Sequence, residues 1–296
     1  VDPTPPITDG EAEGADLRTT AFLQPSIPVL EAAGLWRRLE PHAAALQVMR
    51  IVDAGDDVPE PRIVKDVDAS DIAEAPFGWN LPNWLLRREM VARLAEMGNV
   101  TFQPGTATSA LLAREAGAIV RLSDGSRVRA KMVVAADGRN STIRRELGID
   151  VRTLRYGQKA LAFAVTHPIP HQNVSTEIHR SGGPFTLVPL PDRDGLPCSA
   201  IVWMEHGAEV DRLASLPAEA FEAEMNTRSC GLFGPLTLVT RRSQWPIISQ
   251  IAKHMHGPRT ALLAEAAHVV PPIGAQGLNM SLADLSALID LAVAHP

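Results

Sequence analysis

The chain has 296 residues, 45% of them apolar, with 28 basic and 34 acidic side chains and a net charge of −6. This is the composition of a folded globular protein, long enough for two domains, and it excludes a disordered or collagen-like chain. The acidic balance and the lack of a basic run argue against nucleic-acid binding. Cys198 and Cys230 have no metal-ligand spacing and are too few for a disulfide framework, so a reducing cytoplasm is the expected setting. No run approaches 18 consecutive apolar residues, so no membrane-spanning helix is expected. The chain starts Val1-Asp2-Pro3, without methionine or signal segment, and stops at Pro296 just past a helical pattern, so both ends read as cuts.

In chain order, residues 3–20 read as a loop rich in Pro, Gly and acidic residues. Pro25-Ser26 opens a helix expected to reach Glu40, with Val29, Leu30, Ala33, Leu35 and Leu39 as its apolar stripe. A strand over 47–54 and a charged stretch to about residue 76 follow. A second helix begins at 80–83, carries Leu86, Met90, Leu94 and Met97, and stops at Gly98. Short strands are expected at 100–103, 106–113 and 117–122, then a hairpin turn at Asp124-Gly125 into 126–130. The apolar run 132–136 suits a strand buried on both faces. Residues 156–210 read as antiparallel strands, 217–229 as a helix, 236–252 and 260–264 as strands, and 276–293 as a helix. The pattern is α/β at both ends around an antiparallel block.

Two segments carry chemistry. The first is Val133-Val134-Ala135-Ala136-Asp137-Gly138-Arg139-Asn140-Ser141-Thr142-Ile143-Arg144. An apolar strand ends in an Asp-Gly turn, and Ser141 then offers a capping hydroxyl at a helix start, with Arg144 close behind. The second runs from Ala264-Glu265-Ala266-Ala267-His268 through Pro271-Pro272-Ile273-Gly274-Ala275-Gln276-Gly277-Leu278-Asn279 to Asp284. Its small residues allow backbone to approach a planar ligand closely, and the following helix start is electropositive.

Together these segments resemble the flavin-dependent aromatic hydroxylases of the p-hydroxybenzoate hydroxylase fold, and most of all the ubiquinone-biosynthesis branch. The resemblance implies a Rossmann-like FAD/NAD(P)-binding domain over 1–45, 80–150 and 251–296. An inserted antiparallel substrate domain would occupy 46–79 and 151–250, where Gly183-Pro184, Val188-Pro189-Leu190 and Val202-Trp203 match the substrate sheet. It assigns FAD contacts and the NAD(P)H approach to Asp137, Gly138, Ser141 and Arg144. Glu265 would hold the ribityl chain, while Pro272, Gly274, Gly277, Leu278 and Asn279 would lie along the isoalloxazine, with Pro272 and Gly274 beside its reactive edge. Asp2 matches the acidic residue on the adenosine ribose, Arg18 a flavin-contacting arginine, and Asn83 a position facing the cofactor.

Two departures stand out. The family usually has Gly-Asp where this chain has Ala264-Glu265, which implies a shifted contact. No Gly-x-Gly-x-x-Gly occurs; the family places it upstream of the residue matched by Asp2, so a βα unit of roughly 30 residues and its pyrophosphate cradle are expected to be missing. The implied reaction is hydroxylation of a phenolic or prenylated aromatic ring with NAD(P)H and O₂, the oxygen delivered by a flavin C4a-hydroperoxide. Peripheral membrane association would suit such a substrate. Among His167, His171, His179 and His206 none is singled out as a base. The alternatives are a flavin-fold reductase or epoxidase, or an inactive fragment that binds no FAD.

Overall fold

A computed structural model describes residues 1–55 and 59–295. A nine-stranded sheet dominates. Its main path runs through His268–Val269, Ser243–Ala252, Val151–Thr166, Leu196–His206, Gly183–Arg193, Val174–Arg180, Val48–Asp53 and Ile63–Asp68, while Thr237–Leu238 pairs with Val151–Thr166 off that path. All of its pairings are antiparallel except Val174–Arg180 with Val48–Asp53. Alternation sorts side chains between the two faces. Leu161, Phe163, Val165, Ile178, Phe185, Leu187, Ile201 and Trp203 pack with Val210 and Leu213 of helix Gly207–Ser215 and with Phe221 and Met225 of helix Ala218–Arg228. The helices thus cover one face, and much of the other is left for a cleft.

Three smaller sheets surround this core. Thr19–Leu23, Gly78–Pro82 and Ala44–Leu46 form one, flanked by helix Asn83–Ala95; Phe22, Leu30, Trp36, Leu39, Leu81 and Leu85 make its core. Thr108–Arg114, Gly117–Leu122 and Arg127–Ala130 form a meander whose turn carries Gly125 at φ +85. In the third, Thr260–Leu262 runs parallel to Val133–Ala135 and antiparallel to His256–Gly257.

Several expectations are corrected. The helix expected over 25–40 is broken into Ile27–Ala32 and Trp36–Leu39, with 3-10 turns at both ends. Gly34 sits at φ +72, and Leu35 N–H bonds back to Leu30 O at 2.8 Å, the geometry of a glycine C-cap. The second helix starts at Asn83, after a strand, and ends at Ala95 without using Gly98. Residues 100–103 find no strand partner; the neighbouring Pro104 makes only an isolated bridge to Asp2. The charged stretch after residue 54 contains an edge strand, Ile63–Asp68, though residues 56–58 lie outside the described residues. Val133–Ala135 is not buried on both faces, since Val134 is 47% exposed. A helix at Gly207–Ser215 went unforeseen.

The last helix, Gln276–Ala294, is long and apolar enough to cross a membrane by length and composition alone, with a mean hydropathy of 1.4 over an 18-residue window. Its first turns dock on protein: Leu278 and Leu282 pack on the cluster around Phe22 and Leu81, and Asp284 accepts from His268 Nε2 at 2.5 Å.

Candidate active site

The parallel pairing of Val133–Ala135 with Thr260–Leu262 brings both sequence motifs to one end of a sheet. In the first motif Gly138 turns the chain at φ +81, and the following helix, Thr142–Glu146, is capped twice. Asp137 Oδ2 accepts from the N–H groups of Thr142 (2.8 Å) and Ile143 (3.1 Å), and the buried Ser141 Oγ accepts from Arg144 N–H at 3.0 Å. Helix N-termini carry unpartnered donors, and these two side chains satisfy three of them.

Arg144 then reaches across. It is 5% exposed, and it donates to Ala266 O at 2.7 Å and to Arg139 O at 2.8 Å, joining the second motif to the first. Burial pulls its pKa down, partly offset by Asp137. Arg139 completes the junction with a two-bond fork onto Glu265, at 3.1 and 3.0 Å. Ala264, where the resembled family usually has glycine, adopts φ +53. A left-handed turn is needed there to swing the chain from its strand into the Ala264–Ala266 turn.

The Pro-Gly loop is positioned by Asn279, whose side chain is fully engaged. Its Oδ1 accepts from Leu23 N–H (2.9 Å) and Ser26 Oγ (2.7 Å), and its Nδ2 donates to Ala21 O (2.8 Å) and Ala275 O (2.6 Å). Gly274 and Ala275 both have positive φ, +62 and +54. A Cβ on Gly277 would point into open space. The loop therefore presents a wall of small residues.

That wall bounds a cleft of about 650 Å³. Pro271, Pro272, Gly274, Gly277 and Leu278 line one side, with Glu265, Arg139 and His268 near them. Opposite lie Met49, Ser175, Glu177, Thr186, Val188, Val202 and Trp245 from the large sheet. Arg18, Thr20 and Asn83 close a third side. There Asp16, missed by sequence reading, organises the polar groups: it takes Arg18 at 2.8 and 2.7 Å, Asn83 Nδ2 at 3.2 Å and Arg87 at 3.1 Å. Burial opposes ionisation of Asp16, but the Arg18 hydrogen bond and charge, with Asn83 and Arg87, outweigh it and hold the carboxyl below its usual value. Arg18 also lies 5.4 Å over the Trp245 ring.

Of the expected residues, Arg18, Asn83, Glu265, Pro272, Gly274, Gly277 and Leu278 line this cleft. Asp137, Ser141, Arg144 and Asn279 stand behind it and fix its backbone. Asp2 stands apart, bridged to Pro104, its carboxylate taken by Thr4 N–H at 3.0 Å. Arg139 and Glu177 line the cleft and were not foreseen.

Two parallel strands thus aim their following turns at one cleft, against an antiparallel sheet, and the solved structures that share this fold include FAD-dependent monooxygenases. The match to the FAD binding domain family covers residues 11–294, and the chain belongs to that family. The ubiquinone hydroxylase UbiL of Rhodospirillum rubrum is 34% identical over 97% of this chain and 66% of its own length. The 3-demethoxyubiquinol 3-hydroxylase of Escherichia coli is 25% identical over 99% of this chain and 71% of its own. The chain thus spans about two thirds of the length of these relatives. Among solved structures, Pseudomonas aeruginosa PqsL in complex with 2-aminobenzoylacetate superposes with a TM-score of 0.78 at 23% identity, covering 97% of this chain and 78% of that one. The p-nitrophenol 4-monooxygenase PnpA of Pseudomonas putida superposes with a TM-score of 0.75 at 17% identity, covering 97% and 72%.

Proposed function

We propose that the protein is an FAD-dependent monooxygenase that hydroxylates a phenolic ring of the ubiquinone-precursor type, using NAD(P)H and O₂. The observation that carries this reading is the cleft: a wall of small residues faces the large sheet, whose cleft side presents Met49, Val188, Val202 and Trp245 together with a small polar group of Ser175, Glu177 and Thr186. A planar ring system suits the Pro271–Leu278 wall, because Gly274 and Gly277 hold no side chain over it and the space above Gly277 is open. Bound there, a reduced flavin supplies O₂ activation, so the protein needs no nucleophile–base triad.

The chain's own residues then divide the remaining work. Glu265, held by Arg139, offers carboxylate oxygens to the hydroxyls of a ribityl chain. Arg18 and Asn83 place hydrogen-bond donors at the rim, clamped by Asp16. Pro272 and Gly274 back the reacting edge, and Met49, Val188, Val202 and Trp245 exclude water from the ring-binding side, where a dry site strengthens each polar contact. Asp2, Asp137, Gly138, Ser141 and Arg144 complete the proposed cofactor-binding set, the last three by shaping backbone.

We assign residues 1–45, 80–150 and 251–296 to the cofactor domain and 46–79 with 151–250 to the substrate domain, in the cytoplasm and in peripheral contact with membrane where a prenylated substrate resides. The 296 residues contain no Gly-x-Gly-x-x-Gly to cradle a pyrophosphate, so on their own they should hold FAD weakly and turn over poorly. The deciding assay is NAD(P)H-driven oxygen uptake with phenolic substrates, scored against hydroxylated product. Uptake coupled to product supports the reading. NAD(P)H oxidation that reduces a double bond, or epoxidises one, would favour the same fold with other chemistry.

A further inference from the structure

Glu177 is a carboxylate that the proposed chemistry leaves without a task. It sits in the strand Val174–Arg180, third from one edge of the large sheet and outside both motifs. Ser175 and Glu177 are two residues apart, so both point to the cleft face, while the buried Thr176 and Ile178 point to the helix-covered face. Across the sheet, Glu177 is in register with Thr186 on one neighbour and Ile51 on the other, and Thr186 also lines the cleft.

Among the described residues lining the cleft there are two carboxylates, Glu265 and Glu177. Glu265 is neutralised by the two-bond fork from Arg139. Glu177 has no such cation. Its Oε2 meets His179 Nε2 at 3.1 Å, and its side chain is 14% exposed against 47% for His179. Oε1 has no protein donor among the described residues. Ser175 and Thr186 carry hydroxyls on the same face, and neither makes a bond to it. Oε1 is not among the buried unpaired side-chain atoms and so is open to the cleft, and an ionised carboxylate can only accept. A ligand part that covers Oε1 must bring a donor, because a carboxylate oxygen cut off from water is costly to leave unbonded.

We propose that Glu177 is a specificity-determining residue of the ring-binding side, accepting a hydrogen bond from a hydroxyl or amino group on the aromatic substrate. This rests on the proposed function, since it takes the cleft to be an aromatic-ring site. Ring compounds with a free phenolic hydroxyl are accepted, and those with the same position methylated or empty are rejected. His179, at the exposed end of the pair, holds the far oxygen and so turns the near one inward. Hydrogen bonds to a charged partner are among the stronger ones in proteins, so one such contact should give discrimination of about ten- to a hundredfold.

The test is equilibrium binding of two probes, 4-octylphenol and 4-octylanisole, followed by tryptophan fluorescence, since Trp245 lines the same cleft. The wild-type protein should bind the phenol at least about tenfold more tightly. Glu177→Leu should lose the preference while keeping or improving affinity for the anisole. The isosteric Glu177→Gln should keep part of it, because an amide oxygen still accepts. Circular dichroism melts of the variants confirm that each is folded, and the Gln variant alone decides the matter if the Leu variant is not. Equal affinities in the wild type, or an undiminished preference in Glu177→Leu, would overturn the proposal and leave the ring site standing. Failure of both probes to bind would overturn the ring site and this proposal together.

Discussion

Ala264 carries the sharpest stability prediction. Its φ of +53 lies in the left-handed region, where a Cβ crowds the following carbonyl at a cost of roughly 1–2 kcal/mol. The turn is not optional: Leu263 N–H is fixed to Ala135 O at 2.9 Å on one side, and Ala267 N–H to Ala264 O at 2.9 Å on the other. Glycine enters this conformation without the clash but gives up about 0.5–1 kcal/mol more backbone entropy on folding. The net expectation for Ala264→Gly is a gain of about 0.5–1 kcal/mol, or roughly 1–3 °C in melting temperature for a chain of this size. Ala264→Val should move the other way and further, because a β-branched side chain at positive φ is more strained. Thermal and urea melts of the three proteins, at constant m-value, read both shifts. An Ala264→Gly variant that melts lower than wild type would refute the argument that backbone strain resides here.

Other substitutions probe the frame behind the cleft. Arg144→Lys should not substitute for arginine, since one ammonium cannot fork between Ala266 O and Arg139 O; a loss of about 2–4 kcal/mol in urea melts is expected. Asn279→Ala removes four hydrogen bonds at once and should cost about 2–4 kcal/mol, with the Pro271–Gly277 loop opening to limited proteolysis. Asp16 has a folded pKa below its ordinary 3.8, so its contribution is present above that value and lost as pH falls through the lowered one; wild type and Asp16→Asn should therefore converge in stability at acid pH. His167 is held neutral by burial, its ring between Ile169 O and Ser199 Oγ, so its contribution should fade as pH drops below 6.5, and His167→Gln should flatten that part of the stability–pH curve.

The parts of the site legible in the sequence were local ones. A strand, an Asp-Gly turn and a capping serine announce themselves within a dozen residues, as does a Pro-Pro-x-Gly loop before an apolar helix. The hydrogen-bond partners of Arg144 and Asn279 did not, because they lie 122 and up to 258 positions away. Glu177 was invisible for a different reason: period-two alternation reveals two faces of a strand but not which face meets a cleft. The break at Gly34 was masked by apolar residues in helical register on both sides of it. Ile63–Asp68 is an edge strand largely exposed along its length, so its charged sequence carries the pattern of a loop.

The central claim is that the cleft hosts oxygen transfer from O₂ to an aromatic ring. It is tested most directly by supplying ¹⁸O₂, FAD, NADPH and a 4-alkylphenol to the protein and weighing the phenol recovered. The account predicts one ¹⁸O atom in a new ring hydroxyl, dependent on both FAD and NADPH. Product labelled from water instead, or NADPH consumed with an unlabelled and unhydroxylated ring, would contradict it.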